Sequence, residues 1–321
     1  MPEDAPVSVS VVVPACNAER TIGEAVESVL HQADVPFELI VVDDGSTDRT
    51  LEIVSSLADP RLLVLSGPNR GVSAARNRGI ARARGEIVAF LDADDAWLPG
   101  TLRAQIEAFR RMPAADAVYC WVDHVDVDGR YICPDRRVTA EGDVHRLMLV
   151  HNFIHTVSAV AIRKSILDEI GGFDESLPVL EDWDLYLRLA ARARFACVRQ
   201  ALVRYRRSPG SLTSRLLELE ATYRRVSERA FASAPAALAH LKARNLALFY
   251  EYLTTKATQT DQSRASGGLA LRFFASAVRH RPLNVVSLWQ RPWVLRSLVR
   301  AVVWMVTGRA GSDGVSEHHA P

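Results

Sequence analysis

Short apolar runs alternate with stretches of helical periodicity in the first third of the chain. The apolar runs, which we predict to be strands, cover 7–13, 37–42, 62–65 and 87–91. The stretches between them place apolar residues on one helical face and cover 18–31, 47–57 and 73–84. Strands and helices that alternate in this way predict a parallel sheet flanked by helices, an α/β fold. Because right-handed crossovers bring the loops after such strands to one sheet edge, we expect these loops to form a common site.

The pattern is less regular from residue 99 onward. We predict a helix at 99–111, a strand at 117–121, a hairpin turn at 126–130, strand-like sequence at 152–162, a helix that opens at 180–184, strand-like sequence at 195–205 and a loop at 206–210. Beyond Leu212 the sequence becomes rich in Ala, Leu and Arg with helical periodicity. We therefore expect an α/β domain at 1–213, followed by a helical C-terminal region at 214–321.

Three carboxylates follow the fourth predicted strand within four positions. They are Asp92, Asp94 and Asp95, in the stretch from Val88 to Trp97. Clustered anions repel one another and lose solvation unless a positive charge lies among them. Mg²⁺ or Mn²⁺, held by one or two carboxylates and by substrate phosphates, would supply that charge. The alternative is that these residues only cap the next helix, because acidic residues are common at helix starts.

Charge is balanced over the whole chain but not along it. The 321 residues include 39 Lys and Arg and 38 Asp and Glu. Between Arg264 and Ser312 there are eight arginines and no acidic residue, which leaves 31 basic and 38 acidic side chains elsewhere. An acidic body with a basic tail indicates an anionic surface as the partner of the tail. We expect no nucleic acid partner.

The cysteines and the apolar content indicate the compartment. Cys16, Cys120, Cys133 and Cys197 lack the spacing of a zinc site, which is typical of a reducing environment. The N-terminus lacks the basic start and apolar segment of a signal peptide, and no apolar run approaches the roughly 18 residues of a spanning helix. We expect a cytoplasmic protein.

Five motifs occur in an order and spacing that resembles family 2 glycosyltransferases. They are VVVPACN at 11–17, VVDDGSTD at 41–48, GVSAARN at 71–77, LDADD at 91–95 and EDW at 181–183. The resemblance covers about 7–214. It implies the GT-A fold, which is a Rossmann-like, mostly parallel sheet flanked by helices, and an inverting transfer from a nucleotide-diphospho-sugar. It also implies that a half at about 7–98 binds the nucleotide and a half at about 99–213 binds the acceptor.

The resemblance also implies roles for individual residues. The implied nucleotide-binding residues are Pro14, Ala15, Asn17, Asp43, Asp44, Arg76 and Asp92. Asp92 and Asp94 form the implied DxD pair that binds Mn²⁺ or Mg²⁺, with Asp95 as an alternative metal ligand. Asp182 is the implied catalytic base. Further candidates for contacts with the acceptor or the diphosphate are Glu181, Trp183, His155, Arg206 and Arg207.

The chemistry of sugar transfer calls for the same residue types. A metal ion neutralises the diphosphate as the sugar leaves. The sugar carbon becomes oxocarbenium-like, and a carboxylate within hydrogen-bond reach takes the proton of the attacking hydroxyl. Asp182 begins a predicted helix, so we expect the helix dipole to lower its pKa. Attack from the face opposite the leaving group inverts the anomeric centre without a second carboxylate nucleophile.

Three positions depart from the family pattern. Cys16 stands where many relatives have an aromatic residue that stacks on the base, so the resemblance does not define the base. Ser208 stands where relatives often carry histidine, which shifts the expected diphosphate contact to Arg206 or Arg207. The sequence QRPW at 290–293 is not the QxxRW motif of processive members, so we expect transfer of a single sugar.

Each assignment has an alternative. The sequence Asp43-Asp44-Gly45 also fits an ordinary turn, and Glu181 and Asp182 fit a helix start. His151 and His155, with His145 nearby, could bind zinc on a helix, although the residues between them look strand-like. A non-catalytic protein that binds sugar nucleotides or acts as a scaffold, and a nucleotidyltransferase on a similar sheet, are the competing classes of function.

The C-terminal region has a basic amphipathic segment. Arg296 and Arg300 fall on one stripe of a helix that begins near Pro292, and apolar residues and tryptophans cover the remainder. Such a helix favours the surface of an anionic membrane. We expect residues 264–309 to hold the protein at the inner face of the plasma membrane, beside a glycan or lipid-linked acceptor. The alternative is a helical lid packed on the α/β domain.

Overall fold

The structure is a computed structural model that describes residues 9–207, 216–260, 263–282 and 292–307. The chain divides into two compact units. The first unit contains Met1–Met148 and Asn152–Pro209, and the second contains Leu149–His151 and Gly210–Pro321. The predicted loop residues 208–210 and the tail segments 283–291 and 308–309 lie outside the described residues.

The first unit is built on a nine-stranded sheet. The strands are β1 (Val9–Ala15), β2 (Phe37–Asp44), β3 (Leu62–Gly67), β4 (Ile87–Phe90), β5 (Ala96–Trp97), β6 (Ala117–Val125), β7 (Tyr131–Pro134), β8 (Val160–Arg163) and β9 (Phe195–Arg206). Their order is β3-β2-β1-β4-β8-β6-β9-β5, and β7 pairs with β6 beside this path.

Seven α-helices lie among these strands in residues 9–207. They are α1 (Ile22–Leu30), α2 (Thr50–Ser55), α3 (Val72–Arg82), α4 (Thr101–Arg111), α5 (His145–Met148), α6 (Lys164–Ile170) and α7 (Glu181–Ala190). A short 3-10 helix covers Val157–Ala159. The helices at 22–30, 50–55, 72–82 and 101–111 confirm the predicted alternation, with ends that differ from the prediction by up to four residues.

Strands β3, β2, β1 and β4 are parallel neighbours. Val11, Val12 and Val13 of β1 are fully buried, as is typical of parallel strands that helices cover on both faces. This arrangement confirms the predicted α/β fold. Since the strands run in the same direction, β1, β2 and β4 end at one edge of the sheet, as the sequence predicted.

The other half of the sheet mixes directions. Strand β8 is antiparallel to both β4 and β6, whereas β9 is parallel to β6 and antiparallel to β5. Register shifts on either side of Trp121 allow β9 to follow β6 along its whole length. The predicted strands at 117–121 and 195–205 are therefore longer than expected.

Two predictions in this half are wrong. The strand-like sequence at 152–162 forms a strand only from Val160, and Phe153 and Ile154 are apolar because they are buried in the loop before the 3-10 helix. Arg206, which we predicted to begin a loop, ends strand β9 instead. Helix α6 at 164–170 was not predicted.

The second unit is helical in its described part. Its helices are α8 (Leu216–Ser233), α9 (Leu241–Thr260), α10 (Arg264–His280) and α11 (Pro292–Thr307), with a short 3-10 helix at Ala236–Leu238. Helices α10 and α11 approach closely, since a Cβ atom at Gly267 would lie 2.8 Å from the carbonyl oxygen of Ala301. Within the described ranges of the chain, none of the helices combines the length and the apolar character needed to cross a bilayer.

Candidate active site

The predicted nucleotide loops meet at the edge where β1, β2 and β4 end. Ala15, the last residue of β1, is in register with Asp43 of β2. The backbone N–H of Leu91, just after β4, donates to the carbonyl oxygen of Val12 at 3.1 Å. Asn17, Asp44 and Asp92, which are far apart in sequence, therefore follow neighbouring strands at one edge.

Asn17 joins the loops that follow β1 and β2. Its Oδ1 accepts a 2.8 Å hydrogen bond from the backbone N–H of Thr47, and its own N–H donates to Ser46 Oγ at 3.0 Å. It has a φ of 51°, a left-handed conformation that asparagine tolerates better than most residues. Pro14 and Ala15 are buried at the end of β1, directly before this junction.

Asp43 and Asp44 are buried and hold neighbouring loops through their carboxylates. Asp44 accepts the backbone N–H groups of Arg70 and Gly71 at 2.9 and 2.8 Å. Asp43 accepts the Ser46 N–H at 3.2 Å and the Ser66 hydroxyl at 2.9 Å. These contacts shape the loops around the expected nucleotide site. The nucleobase of a donor could bind the Asp44 carboxylate only through the oxygen lone pairs that do not already accept the two backbone N–H groups.

Gly45 explains why glycine follows the two aspartates. It has a φ of 74°, and a Cβ atom there would lie 2.7 Å from the backbone nitrogen of Asn69. Asn69 also donates from Nδ2 to the Sγ atom of the exposed Cys16 at 3.2 Å. A larger residue at position 45 would separate the loop after β2 from the loop that contains Asn69.

Arg76, on helix α3, links two groups of acidic residues. Its guanidinium is 4% exposed and donates to Asp92 Oδ1 at 2.6 Å and to Glu181 Oε1 at 2.9 Å. It also lies over the ring of Phe173, 5.1 Å from the centroid. Burial disfavours the charged guanidinium, but the charges of Asp92 and Glu181 outweigh this and raise the pKa of Arg76.

Asp182 lies in the first turn of helix α7. Burial, followed by the neighbouring charge of Glu181, raises the pKa of the Asp182 carboxyl to about 7. The expectation that the helix dipole lowers this pKa is wrong, because the loss of solvation and the like charge dominate. The carboxylate accepts the N–H of Trp183 at 2.6 Å. Leu180, just before the helix, has a φ of 63°, a strained conformation for a branched residue and one that concentrates at functional sites.

The three aspartates after β4 have different surroundings. Asp92 is about one quarter exposed and Asp94 is exposed, whereas Asp95 is buried. The loss of solvation at Asp94, followed by the negative charge of Asp92, raises the pKa of the Asp94 carboxyl. Burial raises the pKa of Asp95 well above its usual value. Asp92 is further held by its N–H, which donates to Ser158 Oγ at 3.0 Å.

The environment of Asp95 does not fit a metal ligand, which corrects its predicted role. Its Oδ2 accepts the hydroxyls of Ser158 at 2.6 Å and Thr156 at 3.3 Å, and its Oδ1 accepts the N–H of Arg206 at 3.0 Å. Asp94 and the second oxygen of Asp92 do fit Mn²⁺ or Mg²⁺, since they are hard oxygen donors that repel each other.

Arg206, Arg207 and Trp183 have other partners than the predicted diphosphate or acceptor. The buried Arg206 guanidinium donates to the Asp94 carbonyl at 2.9 Å and to Glu24 Oε2 at 2.5 Å. Arg207 Nε donates to His124 Nδ1 at 3.1 Å. The indole of Trp183 is 2% exposed and donates to the Met148 carbonyl at 3.4 Å. Arg206 and Trp183 thus support the structure around the site, and the structure does not favour their predicted contacts.

The predicted histidine pair does not lie on a helix. His155 belongs to the loop before the 3-10 helix, and its Nδ1 lies 3.5 Å from Asp135 Oδ1. The Nε2 atom of His124 lies 3.5 Å from the same oxygen. Among the described residues, these three side chains form the group whose ligand atoms lie within 4.8 Å of one another. His124 and Asp135 carried no signal in the sequence, because β6 and β7 bring them to His155 only in the fold.

The sequence also missed Thr156 and Ser158. Their hydroxyls bind Asp95, and the Ser158 carbonyl accepts the indole N–H of Trp97 at 2.8 Å. The available signal was a hydroxyl side chain at every second position of an apolar stretch. This pattern is common in loops of any function. Their role follows only from the placement of the loop against the acidic stretch.

The family profile described as Glycosyl transferase family 2 matches residues 10–171. The fold is that of a GT-A protein, and the chain belongs to glycosyl transferase family 2. It is similar to an uncharacterized glycosyltransferase of Rickettsia typhi, with 31% identity over 56% of this chain and 58% of that protein. It is also similar to the succinoglycan biosynthesis protein ExoO of Rhizobium meliloti, with 36% identity over 66% of this chain and 64% of that protein. The alignments thus span about three-fifths of the length of these relatives.

Solved structures of S. aureus TarS share the fold. One aligns with a TM-score of 0.65 and 23% identity over 93% of this chain and 54% of that one. TarS 1–349 in complex with UDP-GlcNAc aligns with a TM-score of 0.56 and 21% identity over 88% of this chain and 92% of that one. At this identity the likeness shows the fold alone.

Proposed function

We propose that this chain is an inverting glycosyltransferase that moves one sugar from a nucleotide-diphospho-sugar to a hydroxyl of a glycan or lipid-linked acceptor. The observation that carries the proposal is the Asp182 carboxyl with a pKa of about 7, next to Glu181, which shares the Arg76 guanidinium with Asp92. The candidate base Asp182 is therefore connected, through its neighbour Glu181 and through Arg76, to Asp92, which is expected to lie at the donor diphosphate.

Asp182 acts as the general base. Its carboxylate takes the proton of the acceptor hydroxyl while the hydroxyl oxygen bonds to the anomeric carbon. The bond between that carbon and the diphosphate oxygen breaks on the opposite face, and the electron pair leaves with the nucleotide diphosphate. One displacement inverts the configuration, and the proton remains on Asp182 until solvent removes it.

The donor half orients the nucleotide diphosphate. Asn17, Asp43 and Asp44 hold the loops that border the nucleotide site. Asp94 and the free oxygen of Asp92 would hold Mn²⁺ or Mg²⁺, which when bound neutralises charge on the departing diphosphate. The Arg76 guanidinium donates to Asp92, and Asp95 accepts the Ser158 hydroxyl, whose oxygen in turn accepts the backbone N–H of Asp92.

The relatives favour an N-acetylhexosamine donor and an envelope polysaccharide as the product. TarS is recorded in complex with UDP-GlcNAc, and ExoO is named for succinoglycan biosynthesis. Relatives with 30% identity over 58% of this chain are named chondroitin synthase and hyaluronan synthase, both of Pasteurella multocida. UDP-GlcNAc is accordingly the first donor to test.

A donor screen tests this function directly. The chain is incubated with UDP-, GDP- and dTDP-sugars, with Mn²⁺ or with EDTA, and the released nucleotide is measured. We expect one donor to be consumed with Mn²⁺ and the product to have the inverted anomeric configuration by NMR. Donor binding without any turnover would instead identify a sugar-nucleotide-binding protein. Formation of a nucleotide sugar from a nucleoside triphosphate and a sugar phosphate would identify a nucleotidyltransferase.

Helix α11 supports attachment to the inner face of the plasma membrane. Val294, Ala301 and Trp304 are buried, while an apolar face remains exposed. The exposed apolar residues are Leu295, Val299, Val302, Val303, Met305 and Val306. The exposed Arg296 and Arg300 flank this face, which matches an anionic lipid surface in both apolarity and charge.

Flotation with lipid vesicles tests the membrane proposal. We expect the protein to float with vesicles that contain phosphatidylglycerol and to bind weakly to phosphatidylcholine alone. Replacement of Val299, Val302 and Val306 by serine should abolish flotation. The matched control replaces Leu63 and Val127, exposed apolar residues of the first unit, by serine and should float normally. Equal flotation of both variants would rule out α11 as the contact.

A further inference from the structure

Three rings from separate segments pack against one another beside the acidic stretch. His124 comes from β6, His155 from the loop before the 3-10 helix and Tyr205 from β9; we call them the ring cluster. All three pairs are edge-to-face, with centroids 4.6 Å apart for His124 and His155, 4.7 Å for His155 and Tyr205 and 5.5 Å for His124 and Tyr205. His124 is buried, whereas the His155 side chain is 36% exposed.

Asp95 fixes the position of the ring cluster relative to the candidate active site. One carboxylate oxygen accepts the hydroxyl of Thr156 and the other accepts the N–H of Arg206. These two residues directly follow His155 and Tyr205. Burial, and then the negative charges of Asp95 and Asp94, raise the pKa of Tyr205, which is consistent with its position next to the acidic residues.

A chain of hydrogen-bonding groups determines which ring nitrogens carry protons. A guanidinium only donates, so the 3.1 Å contact from Arg207 Nε makes His124 Nδ1 an acceptor. In a neutral ring the proton then lies on Nε2, which faces Asp135. Burial acts to raise the pKa of Asp135, but hydrogen bonds, chiefly the one from His124, act against burial, and the pKa of Asp135 is lowered.

His155 keeps an acceptor atom for a ligand. Its Nδ1 faces the Asp135 carboxylate at 3.5 Å, which favours the proton on that nitrogen. Burial is the main cause that lowers the pKa of His155 to about 4, so the ring is neutral near pH 7. The Nε2 atom of a neutral ring protonated at Nδ1 carries a lone pair that can accept a hydrogen bond.

The contacts of His124 disfavour a zinc site at these residues. The 3.5 Å contacts from both histidines to Asp135 are close to the roughly 3.4 Å separation of ligand atoms around tetrahedral zinc. Zinc on His124 Nε2, however, would require the proton on Nδ1, where Arg207 already donates. The positive charge of Arg207 also disfavours a cation at this position.

We propose that the ring cluster is the acceptor subsite and that it binds a pyranose ring. The rings of His155 and Tyr205 give the apolar surface on which the sugar lies, and His155 Nε2 accepts a hydrogen bond from a sugar hydroxyl. Asp135 and Arg207 are positioning residues that fix the tautomers of the histidines. This inference rests on the proposed transferase function, and it adds the residues that recognise the acceptor.

Histidine-detected ¹⁵N NMR of the full chain tests the subsite without requiring turnover. The expected spectrum shows His155 protonated at Nδ1. Methyl glycosides of glucose, galactose and N-acetylglucosamine are then added, and at least one should shift the His155 Nε2 resonance. In Asp135→Asn the side-chain amide can donate to Nδ1, so the proton should move to Nε2 and the response to the sugar should disappear. The proposal fails if none of the glycosides shifts His155, or if wild-type protein binds one equivalent of Zn²⁺ that His124→Ala abolishes.

Kinetics then separate this inference from the proposed function. Hydrolysis of the donor by water reports the donor site, whereas sugar transfer also requires the acceptor. His155→Ala should raise the acceptor KM about tenfold, the effect of one lost hydrogen bond, and should change the rate of donor hydrolysis by a much smaller factor. His31→Ala, an exposed histidine after α1, is the matched control and should change neither. If the wild-type protein turns over no donor, the proposed function is contradicted, and the NMR result decides whether the subsite exists. If His155→Ala is active and its acceptor KM is unchanged, the subsite alone is overturned.

Discussion

Arg76 and Glu181 are 105 residues apart in the chain, yet the Arg76 guanidinium donates to Glu181 Oε1 at 2.9 Å. The same guanidinium donates to Asp92 Oδ1 at 2.6 Å. One buried cation therefore joins the acidic stretch after β4 to the first turn of α7, where Asp182 lies. The Arg76 side chain therefore positions the acidic stretch and the candidate base relative to each other.

Removal of the Arg76 charge should destabilise the fold. Arg76→Met keeps an apolar side chain of similar length but leaves Asp92 and Glu181 without their buried cation. Breaking a buried ion pair by removing one partner costs about 3–5 kcal/mol. We expect a loss of that size in the free energy of unfolding, measured by urea denaturation.

Arg49 provides the control for this prediction. It pairs with Glu52 at 3.2 Å, but both side chains are about two-thirds exposed or more. Solvent screens such a pair, so Arg49→Met should leave the urea midpoint nearly unchanged. Equal effects of the two substitutions would show that burial of the Arg76 network contributes nothing specific.

The rate should depend on pH through Asp182. The base must be ionised, and its pKa is about 7, so kcat/KM should fall below pH 7 and level off above it. Glu181→Gln removes the neighbouring negative charge that raises this pKa. The ascending limb of the pH–rate profile should therefore move to lower pH in the variant. A limb that stays in place, or moves to higher pH, would contradict this account of the Asp182 environment.

Asp95 and Asp94 should differ in their effect on stability. Asp95→Ala leaves the N–H of Arg206 and the hydroxyl of Ser158 without their buried acceptor, at about 1–3 kcal/mol for each group left unpaired. Asp95→Asn retains an acceptor for the Arg206 N–H and should recover much of the loss. Asp94→Ala removes an exposed carboxylate that Asp92 repels, so the melting temperature should stay the same or rise. A larger loss in Asp94→Ala than in Asp95→Ala would reverse the two assigned roles.

The first half of the sheet was predictable because β1, β2 and β4 are fully buried and parallel. Apolar runs such as Val11 to Val13 have no solvent-facing positions, so they stand out in the sequence. The half of the sheet that follows residue 99 was harder to predict, since β8 inserts between β4 and β6 and no local pattern encodes that pairing. The apolar Phe153 and Ile154 are buried in a loop, which hydrophobicity alone cannot distinguish from a strand.

The candidate site residues were likewise predictable only in part. The motifs led to Asp92, Asp94 and Asp182, and the fold brings Arg76, Asp92 and Glu181 into contact. The sequence could not separate Asp95 from Asp94, because the direction of a side chain in an irregular loop depends on partners such as Ser158 and Arg206. The raised pKa of Asp182 was likewise hidden, since burial and the charge of Glu181 oppose the helix dipole.

The central claim is that Asp182 removes the proton of the acceptor hydroxyl. Its most direct test compares Asp182→Asn with wild type in two measurements, the rate of sugar transfer and the affinity for the donor by calorimetry. The account predicts a transfer rate lower by about 10²- to 10⁴-fold, the usual contribution of a general base, with the donor Kd nearly unchanged. Transfer by Asp182→Asn at a rate close to wild type would contradict it.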